Sequence, residues 1–450
     1  MTTPQSLPAS VARVEAELEL RTPTRMVPDL DRITDLLGLL GDPQRAYPSI
    51  HLTGTNGKTS TARMIDTLLR GFGVRTGRYT SPHLQSVTER IAINGDPIDP
   101  EGFAAVYDEV APLAAIVDSR HADRVTFFEL LTAMGFTAFA DAPVDVGVIE
   151  VGLGGRWDAT NLIEAPVCVV TPIGLDHVGI LGDTIAAIAG EKAGIIHAGA
   201  TCVVGIQPPE ALTVLSARAD EVGARLVVAG ADVGLRDRVL AVGGQQLSLA
   251  GLGGDYDDIF LPLHGVHQAG NALSALVAVE AFFGAGTDDR GPLDIEVIRS
   301  AFAEVTSPGR LEVVRRGPTV LIDGAHNPAG AAALAAALSE EFDFTRCVAV
   351  LAVLDDKDAA GIIAAIDPVV DAVVCTTNSS PRAMPADVLA GVAREILGGE
   401  RVEVEVRLDD AIDAAVELAE TGAEGMAGSG VVVTGSIVTV GEARTLLRAR

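Results

Sequence analysis

The sequence predicts an α/β protein with an N-terminal P-loop domain, built on a doubly wound, mostly parallel sheet, and a smaller C-terminal Rossmann-like α/β domain. Short apolar runs rich in β-branched residues alternate with helical stretches rich in alanine and leucine through most of the 450 residues. This alternation is typical of parallel sheets with crossover helices. A glycine-rich turn follows the first run, and the alternation restarts after the breaking sequence TSPGR at 306–310. We therefore expect one domain at 1–305 and another at 306–450.

Charge and composition narrow the functional classes. The chain has 33 Lys and Arg against 61 Asp and Glu, a formal net charge of −28. We expect no nucleic-acid partner, because binding by counterion release needs a basic surface. No apolar run reaches the roughly 18–20 residues that span a bilayer, and the N-terminus has no basic start before an apolar stretch. These features predict a cytoplasmic protein without a membrane partner.

The elements of the first domain follow from apolar runs and turn residues. The runs predict buried strands at 48–52, 144–151, 167–171, 202–206 and 226–229. A helix from the glycine-rich turn through Leu69 follows the first strand. The β-rich passage at 239–263, with its Gly-Gly turns, is expected to be antiparallel and to lie at the edge of this domain. A long amphipathic helix at 267–283 comes next.

The second domain repeats the alternation at a common domain size of about 140 residues. Apolar runs predict strands at 311–315, 320–323, 348–353, 370–376 and 431–434. Helices are expected between them, including 328–338 and 387–397. The four cysteines lie far apart, form no CxxC pair and are expected to be buried free thiols.

The segment TGTNGKTS at 53–60 lies between a predicted strand and a predicted helix. Its glycines allow backbone N–H groups to approach phosphate oxygens, and Lys58 can neutralise the outer phosphates. The strict Walker pattern needs glycine at position 52, where Leu52 stands. The alternative is a polar turn with an exposed lysine. Strand, turn, Gly-Lys-Thr-Ser and helix together favour nucleotide binding.

Two further strands deliver ionisable residues to the same predicted sheet edge. Glu150 ends a buried strand, where a carboxylate needs a partner or a cation, and Mg²⁺ prefers oxygen ligands that bridge substrate phosphates. The alternative is a carboxylate that caps the following loop. Asp176 and His177 follow the next strand, and the position of His177 favours a ligand over a structural hydrogen bond. Without other knowledge, Lys192 is part of a charged pair at a helix end.

The second domain again couples a strand to polar groups in LIDGAHNPAG at 321–330. Arg310, at the domain junction, can bind phosphate bidentately or form an interdomain salt bridge, and the sequence leaves both interpretations open.

Together these segments resemble the folylpolyglutamate synthase/dihydrofolate synthase family, within the Mur-ligase-like group of ATP-dependent amide ligases. The similar segments occur in the family's order from residue 53 to 358: TGTNGKTS, TSPHL, ERI, TFFELLTAMGF, IEVGLGGRWDATN, LDHVGILGDTIAAIAGEKAGI, HQAGNALSAL, SPGRLE, LIDGAHNP and DDKD. The resemblance implies a ligase that adds L-glutamate to dihydropteroate or to a reduced folate. ATP would phosphorylate the acceptor carboxylate, and the amine of glutamate would attack the resulting acyl phosphate.

The resemblance also implies site residues, position by position. The ATP-binding positions are Asn56, Gly57, Lys58, Thr59, Ser60, Asn271, Arg310 towards the phosphates and Asp323 towards the ribose. The ligands of two Mg²⁺ sites are Ser81, Glu150, His177 and Lys192 as a carbamate. The catalytic residues are Lys58, Lys192 and His326. The pterin- or folate-binding positions are Thr126, Phe127, Phe128, Glu129, Trp157, Asp158 and Ala159. A monovalent cation and a monomeric state are further implications.

Several interpretations stay open beside this one. Phe127 and Phe128 could serve ordinary helix packing, and Ser307 stands where the family often has tryptophan. A Mur-type ligase acting on a UDP-linked substrate would carry a whole domain before the P-loop, whereas about 50 residues precede it here. A non-catalytic ATP-binding protein would be expected to lose some of Lys58, Glu150, His177 and Lys192, and all are present. The glutamate site is not assigned; loops near His326, 380–382 and Ser436 are candidates by position.

Overall fold

A computed structural model describes residues 8–23, 25, 27–287, 290–421 and 428–448. The first seven residues of the N-terminal stretch, which bears on the predicted localisation, lie outside this range. The helices are α1 (Ala9–Glu19), α2 (Asp31–Leu39), α3 (Lys58–Gly71), α4 (Pro100–Asp118), α5 (Phe127–Asp141), α6 (Val178–Leu181), α7 (Ile185–Lys192), α8 (Pro209–Val222), α9 (Val266–Phe283), α10 (Ile295–Ala303), α11 (Pro328–Glu341), α12 (Ala359–Ile366), α13 (Ala386–Leu397), α14 (Leu408–Glu420) and α15 (Ile437–Arg448).

The strands form three sheets. They are β1 (Ser49–Thr53), β2 (Thr76–Tyr79), β3 (Ile91–Ile93), β4 (Asp96–Pro97), β5 (Val146–Glu150), β6 (Val167–Val170), β7 (Thr201–Val204), β8 (Arg225–Val228), β9 (Gly234–Ala241), β10 (Gly244–Ala250), β11 (Asp255–Leu261), β12 (Glu312–Arg316), β13 (Thr319–Ile322), β14 (Arg346–Leu351), β15 (Ala372–Cys375), β16 (Val402–Val404) and β17 (Ser429–Thr434). No helix among the described residues combines the length and apolarity needed to cross a membrane.

The first sheet has eight strands in the order β4-β3-β2-β5-β1-β6-β7-β8. All neighbours from β2 to β8 are parallel, and β3 and β4 add an antiparallel edge. The order reverses around β1, which confirms the predicted doubly wound sheet and places the P-loop at a switch point of its topology. The apolar runs located the five strands that they predicted, but β2 carries Arg78 and was missed. Arg78 is buried there because its Nη1 contacts Asp66 Oδ2 at 2.7 Å.

The β-rich passage forms a sheet of its own, in the order β11-β10-β9. It begins at Gly234, earlier than predicted, and it forms no ladder with the eight-stranded sheet. Its apolar face, with Leu247, Leu249 and Ile259, joins the core around α9 and α10. The sheet therefore packs across the first domain through helices and does not extend the edge of the main sheet.

The third sheet has six strands in the order β12-β13-β17-β14-β15-β16, parallel except for β12. This confirms the predicted Rossmann-like second region. The domain boundary near residue 305 stays a prediction, although no strand of this sheet precedes Glu312. The carboxyl ends of its strands face the P-loop. Asn56 and Asn327 join the two edges, since their side-chain amides exchange hydrogen bonds of 3.3 and 3.1 Å.

Candidate active site

The P-loop connects β1 to α3 in a conformation that requires glycine. Gly54 has φ +147, and a Cβ there would lie 1.8 Å from Thr171 Oγ1. Gly57 has φ +89, and a Cβ there would lie 2.4 Å from Asn271 Oδ1. A side chain at either position would displace the loop from β6 or α9. The N–H groups of Thr55 and Asn56 donate to the carbonyl oxygen of Pro172, whereas the N-terminus of α3 has no side-chain cap and is open to an anion in the cavity.

Glu150 lies at the end of β5, directly beside the P-loop. Its side chain is buried, and Thr59 Oγ1 lies 3.0 and 2.9 Å from its two oxygens. The backbone N–H of Ser81 lies 3.4 Å from Oε2. Burial raises the pKa of Glu150, while Lys58 and these hydrogen bonds oppose the rise. A buried carboxylate with one hydroxyl donor has unused acceptor capacity, which suits it to a hard cation.

Two lysines meet at one carbonyl of the P-loop. Lys58 Nζ donates to the oxygens of Gly54 and Thr55 at 3.1 and 3.3 Å, and Lys192 Nζ donates to the same Gly54 oxygen at 2.8 Å. Lys192 is buried. Burial, and then the nearby Lys58, lower the pKa of Lys192 to about 7. A substantial fraction of Lys192 is therefore a neutral amine near neutral pH.

Asp176 links the first domain to the second. Its Oδ1 lies 2.5 Å from Lys357 Nζ, and its Oδ2 lies 3.2 Å from Asn327 Nδ2 and 3.5 Å from His326 Nε2. Burial alone would raise the pKa of Asp176, but His326, His177 and Lys357 together lower it below its usual range. Asp176 is therefore an ionised acceptor that holds three polar groups from the second domain at the cleft.

His177 has left-handed backbone, with φ +51. Burial lowers its pKa to about 4, despite the opposing effect of Asp176, so the imidazole is neutral at pH 7. Its Nε2 lies 3.4 Å from Lys357 Nζ. A neutral imidazole nitrogen is the form that can bind a metal ion.

The second domain contributes a cation and a carboxylate at its junction with the first. Asp323 Oδ2 accepts from the N–H of Leu311 and Oδ1 accepts from the N–H of Ala325, both at 2.8 Å. The Asp323 carboxylate thereby holds the turn that follows Arg310. The Arg310 guanidinium lines the cavity and forms no ion pair among the described residues. That favours phosphate binding over the interdomain salt bridge that the sequence also allowed.

Ser60 and Asn271 are buried in the wall of the cavity. Ser60 Oγ lies 2.9 Å from Ser307 Oγ and 3.5 Å from Gln268 Nε2. Asn271 Nδ2 donates to Gln268 Oε1 at 3.0 Å. The Ser307 hydroxyl thus bonds α3 to the segment before Arg310.

A cavity of ≈ 620 Å³ collects these groups between the eight-stranded and six-stranded sheets. Its lining includes every residue that the sequence assigned to ATP, metal or catalysis: Asn56, Gly57, Lys58, Thr59, Ser60, Ser81, Glu150, His177, Lys192, Asn271, Arg310, Asp323 and His326. One end is apolar, with exposed Ile206, Leu235 and Val266. The volume is in the range of small-molecule sites.

The seven residues assigned to the pterin do not line this cavity. Thr126 and Glu129 form a capping box at the start of α5. The Glu129 carboxylate is buried and accepts hydrogen bonds from Arg32 Nη2 and Nε at 2.9 and 3.2 Å. Phe128 packs on Gly152, where a Cβ would lie 2.4 Å from its ring. These side chains have structural partners of their own, and a pterin role for them stays a prediction.

The remaining predicted pterin residues lie in the loop after β5. Asp158 is buried, accepts from Thr160 Oγ1 at 2.6 Å and from the N–H of Leu153 at 2.9 Å, and so closes the loop. Burial raises its pKa, which these donors oppose. Ala159 is buried, whereas Trp157 is 50% exposed. Trp157 is the one side chain of the three that is open to a ligand.

Lys357 was not assigned as a site residue from sequence. The chain contains only three lysines, at positions 58, 192 and 357, and all three lie at this site. Nearly all basic residues of the chain are arginines. The rarity of lysine was therefore the sequence signal that could have identified Lys357 as a site residue. Among the described residues, no three His, Cys, Asp or Glu side chains form a metal-binding group. A cation bound here would therefore need further ligands besides such side chains.

Two family models match the chain. The Mur ligase middle domain matches residues 52–279, and the Mur ligase glutamate ligase domain matches residues 309–437. The fold and the cleft site therefore define a Mur-type ligase. A dihydrofolate synthase/folylpolyglutamate synthase of Mycobacterium tuberculosis is 53% identical, over 97% of this chain and 94% of that protein. The chain belongs to the dihydrofolate synthase/folylpolyglutamate synthase family.

Solved structures agree with this assignment. Mycobacterium tuberculosis folylpolyglutamate synthase complexed with ADP superposes with a TM-score of 0.93, at 54% identity over 98% of both chains. Escherichia coli FolC in complex with DHPP and ADP superposes with a TM-score of 0.83, at 32% identity over 100% of both chains. The wider Mur-ligase resemblance is thus confirmed, together with the particular branch that the motifs indicated.

Proposed function

We propose that this enzyme adds L-glutamate to dihydropteroate and to the terminal glutamate of reduced folates, using ATP and an acyl-phosphate intermediate. The observation that carries the proposal is the single cleft cavity in which Lys58, Glu150, Lys192, Arg310 and His326 converge. The family membership and the ADP and DHPP complexes of its relatives support it. The proposed partners are these small molecules, and the chain is proposed to act as a monomer.

ATP would lie along the P-loop. Its phosphates would meet the backbone N–H groups at the start of α3, the ammonium of Lys58 and the guanidinium of Arg310. The apolar part of the lining would receive the adenine, and Asp323, which also lines the cavity, would contact the ribose. With these contacts the γ-phosphate would lie near Glu150.

The residues around Glu150 fit a magnesium site. The Glu150 carboxylate and the Ser81 hydroxyl supply hard oxygen donors, and His177 adds a neutral nitrogen. When bound, Mg²⁺ would supply positive charge that offsets the phosphate oxygens during transfer. A second site would use Lys192 as a carbamate, and its lowered pKa favours the neutral amine that reacts with carbon dioxide. A monovalent cation is part of the same proposal.

The acyl phosphate must meet the amine of glutamate while water is excluded. His326 lies between Asp176 and the cavity, with its Nδ1 2.9 Å from the carbonyl oxygen of Gly324. Nδ1 donates in that contact, and Nε2 lies 3.5 Å from the Asp176 carboxylate, so both ring nitrogens are engaged and His326 would act by positioning the reacting groups. Loops near His326, 380–382 and Ser436 remain the proposed side for glutamate.

The first test measures incorporation of labelled L-glutamate, with ATP and magnesium, into dihydropteroate and tetrahydrofolate in parallel. Incorporation into both is expected. Lys58→Ala should reduce both by about a hundredfold or more, because removing one charge-stabilising group of this kind has that effect on the rate. Arg236→Ala, a control on the surface where Arg236 pairs with Asp255, should leave both unchanged. No incorporation by the wild type, with ATP still bound, would refute the assignment.

A further inference from the structure

Two arginines near the site form no ion pair among the described residues. Arg63, in α3, forms no side-chain hydrogen bond or ion pair among the described residues. Arg90 donates from Nε to His83 Nδ1 at 3.0 Å, and its guanidinium lies 5.3 Å from the ring centre of Phe127. Neither contact neutralises its charge. Both arginines are only partly exposed. In a chain with net charge −28, unpaired and partly buried cations are an unexpected feature.

Three of the neighbouring carboxylates are already engaged, whereas Glu15, which interacts electrostatically with Arg90, forms no hydrogen bond or ion pair among the described residues. Glu89 accepts the backbone N–H groups of Leu84, Gln85 and Ser86, each at 2.9 Å. Asp66 is buried against Arg78 at 2.7 Å. Glu150 is held by Thr59, as described above. Among the described residues, Arg63 and Arg90 therefore form no close ion pair, although acidic residues near them act on their pKa values from a longer distance.

Their position connects the two halves of the proposed site. Arg63 lies four residues after Thr59, so the two side chains share a face of α3, one turn apart. Arg90 stacks on Phe127, within the predicted pterin segment. Tyr79, whose ring centre lies 6.0 Å from that of Phe128, adjoins Arg90 closely enough to affect its pKa. Arg63 thus adjoins the phosphate site through the Thr59 face of α3, Arg90 adjoins the predicted pterin wall through Phe127, and both lie close enough to Glu150 for its charge to raise their pKa values.

The environment disfavours a charge without a partner. Burial, and then Arg78, lower the pKa of Arg63 to about 10, which still leaves it charged at neutral pH. Burial also lowers the pKa of Arg90. Partly dehydrated guanidinium groups gain most from a carboxylate that they can bind bidentately. An anionic ligand is the partner that would compensate this desolvation.

We infer that Arg63 and Arg90 bind the non-reacting carboxylate on the terminal glutamate of a folate substrate. The inference rests on the proposed function. The reacting carboxylate is neutralised by Lys58, Arg310 and the proposed magnesium site. Dihydropteroate has only that one carboxylate, whereas a folate has a second one that requires its own cations. The two arginines therefore favour chain extension over the first glutamate addition.

The test compares one-carboxylate and two-carboxylate substrates in Arg63→Gln, Arg90→Gln and the double variant. The KM for tetrahydrofolate should rise about tenfold or more per lost charged contact, and the KM for dihydropteroate should change less than about threefold. Calorimetry of dihydropteroate and dihydrofolate binding compares the same two classes of ligand, because these two molecules share one ring system and differ in the glutamate. Arg90→Lys, which keeps the charge but loses the planar fork, should have an intermediate effect on tetrahydrofolate alone.

Arg236→Gln provides a matched control, because Arg236 is exposed and paired with Asp255. It should change neither KM. Equal losses with both substrates, or no loss with either, would overturn the inference while leaving the proposed function in place. A wild-type enzyme that accepts neither substrate would instead refute the proposed function itself. Retained turnover of dihydropteroate shows that the variants are folded.

Discussion

Single residues at this site are defined by partners far away in the chain. Asp176 is the clearest case, since its side chain holds Lys357, 181 residues away, and Asn327, 151 residues away. The Asp176 and Lys357 side chains are 9% and 8% exposed. Removing one member would leave the other as a buried charge without compensation.

We predict that Asp176→Asn lowers the free energy of unfolding by about 2–4 kcal/mol, because Lys357 then becomes an uncompensated buried charge. Lys357→Met in the same protein should recover part of this loss. Urea unfolding of both single variants and the double variant, analysed as a double-mutant cycle, gives the coupling energy.

Asp356→Asn is the matched control for this pair. Asp356 lies in the same loop but pairs with exposed Arg382 at 3.3 Å, and such surface pairs contribute about 0–1 kcal/mol. Additive effects of Asp176→Asn and Lys357→Met would show that the two residues do not stabilise each other.

At the scale of elements, helix starts explain several residues that the family resemblance links to ligands. Thr126 Oγ1 accepts from the N–H of Glu129 at 3.3 Å, and the Glu129 carboxylate accepts from the N–H of Thr126 at 2.7 Å. Arg32, on α2, then pairs with Glu129. The start of α5 is thus held by its own cap and by a second helix.

We predict that Thr126→Ala lowers the free energy of unfolding by about 1 kcal/mol through loss of the cap, and that Thr126→Ser does not. Thr213→Ala is the control, because Thr213 Oγ1 only donates back to Pro209 within α8. Thermal unfolding measures all three. Equal destabilisation by the alanine changes at 126 and 213 would contradict the capping role. A Thr126→Ser protein of normal stability with a raised KM for dihydropteroate would support the pterin role.

At the scale of the whole molecule, a second contact between the sheets lies at the end of α11. Glu341 accepts from His264 Nδ1 at 2.8 Å, from the N–H of Gly265 at 2.7 Å and from Arg238 Nη2 at 2.5 Å. Gly265 is the residue before α9, which carries Asn271. This contact therefore joins the three-stranded sheet, the cavity wall and the second domain.

We predict that this contact makes stability depend on pH. Burial would raise the pKa of Glu341, but His264, Gly265 and Arg238 together lower it. A carboxylate with a lowered folded pKa stabilises the protein above its unfolded pKa of about 4.3, and that contribution is lost as pH falls through the folded pKa. Glu341→Gln should be less stable than wild type at pH 7 and should lose less on acidification below about pH 4.

Urea unfolding at several pH values tests this prediction. Glu340→Gln is the matched control, because Glu340 is half-exposed and meets the same Arg238 at 2.7 Å. It should keep the acid sensitivity of the wild type. An acid response of Glu341→Gln equal to that of the wild type would show that Glu341 does not carry the effect.

The sequence by itself determined the order and type of most elements, and the residues of the P-loop. Apolar periodicity and turn residues act over short distances, so β1, β5, β6, β7 and β8 could be predicted from their own residues. The same locality explains why the polar strand β2 was missed. Motif order also determined which residues would surround the cleft, because the carboxyl ends of parallel strands meet at one edge.

Only the tertiary structure decided which side chain each polar group contacts. Glu129 was expected at the pterin, yet Arg32 from a separate helix holds its carboxylate. In the sequence, Asp176 was one polar residue among several. The structure shows that Lys357 and His326 contact it across the cleft. Arg63 was not singled out in the sequence, and Arg90 appeared only as part of the segment ERI, because an unpaired charge can be recognised only when its neighbours are known. Pairing depends on distances between elements, and hydrophobic pattern alone does not specify them.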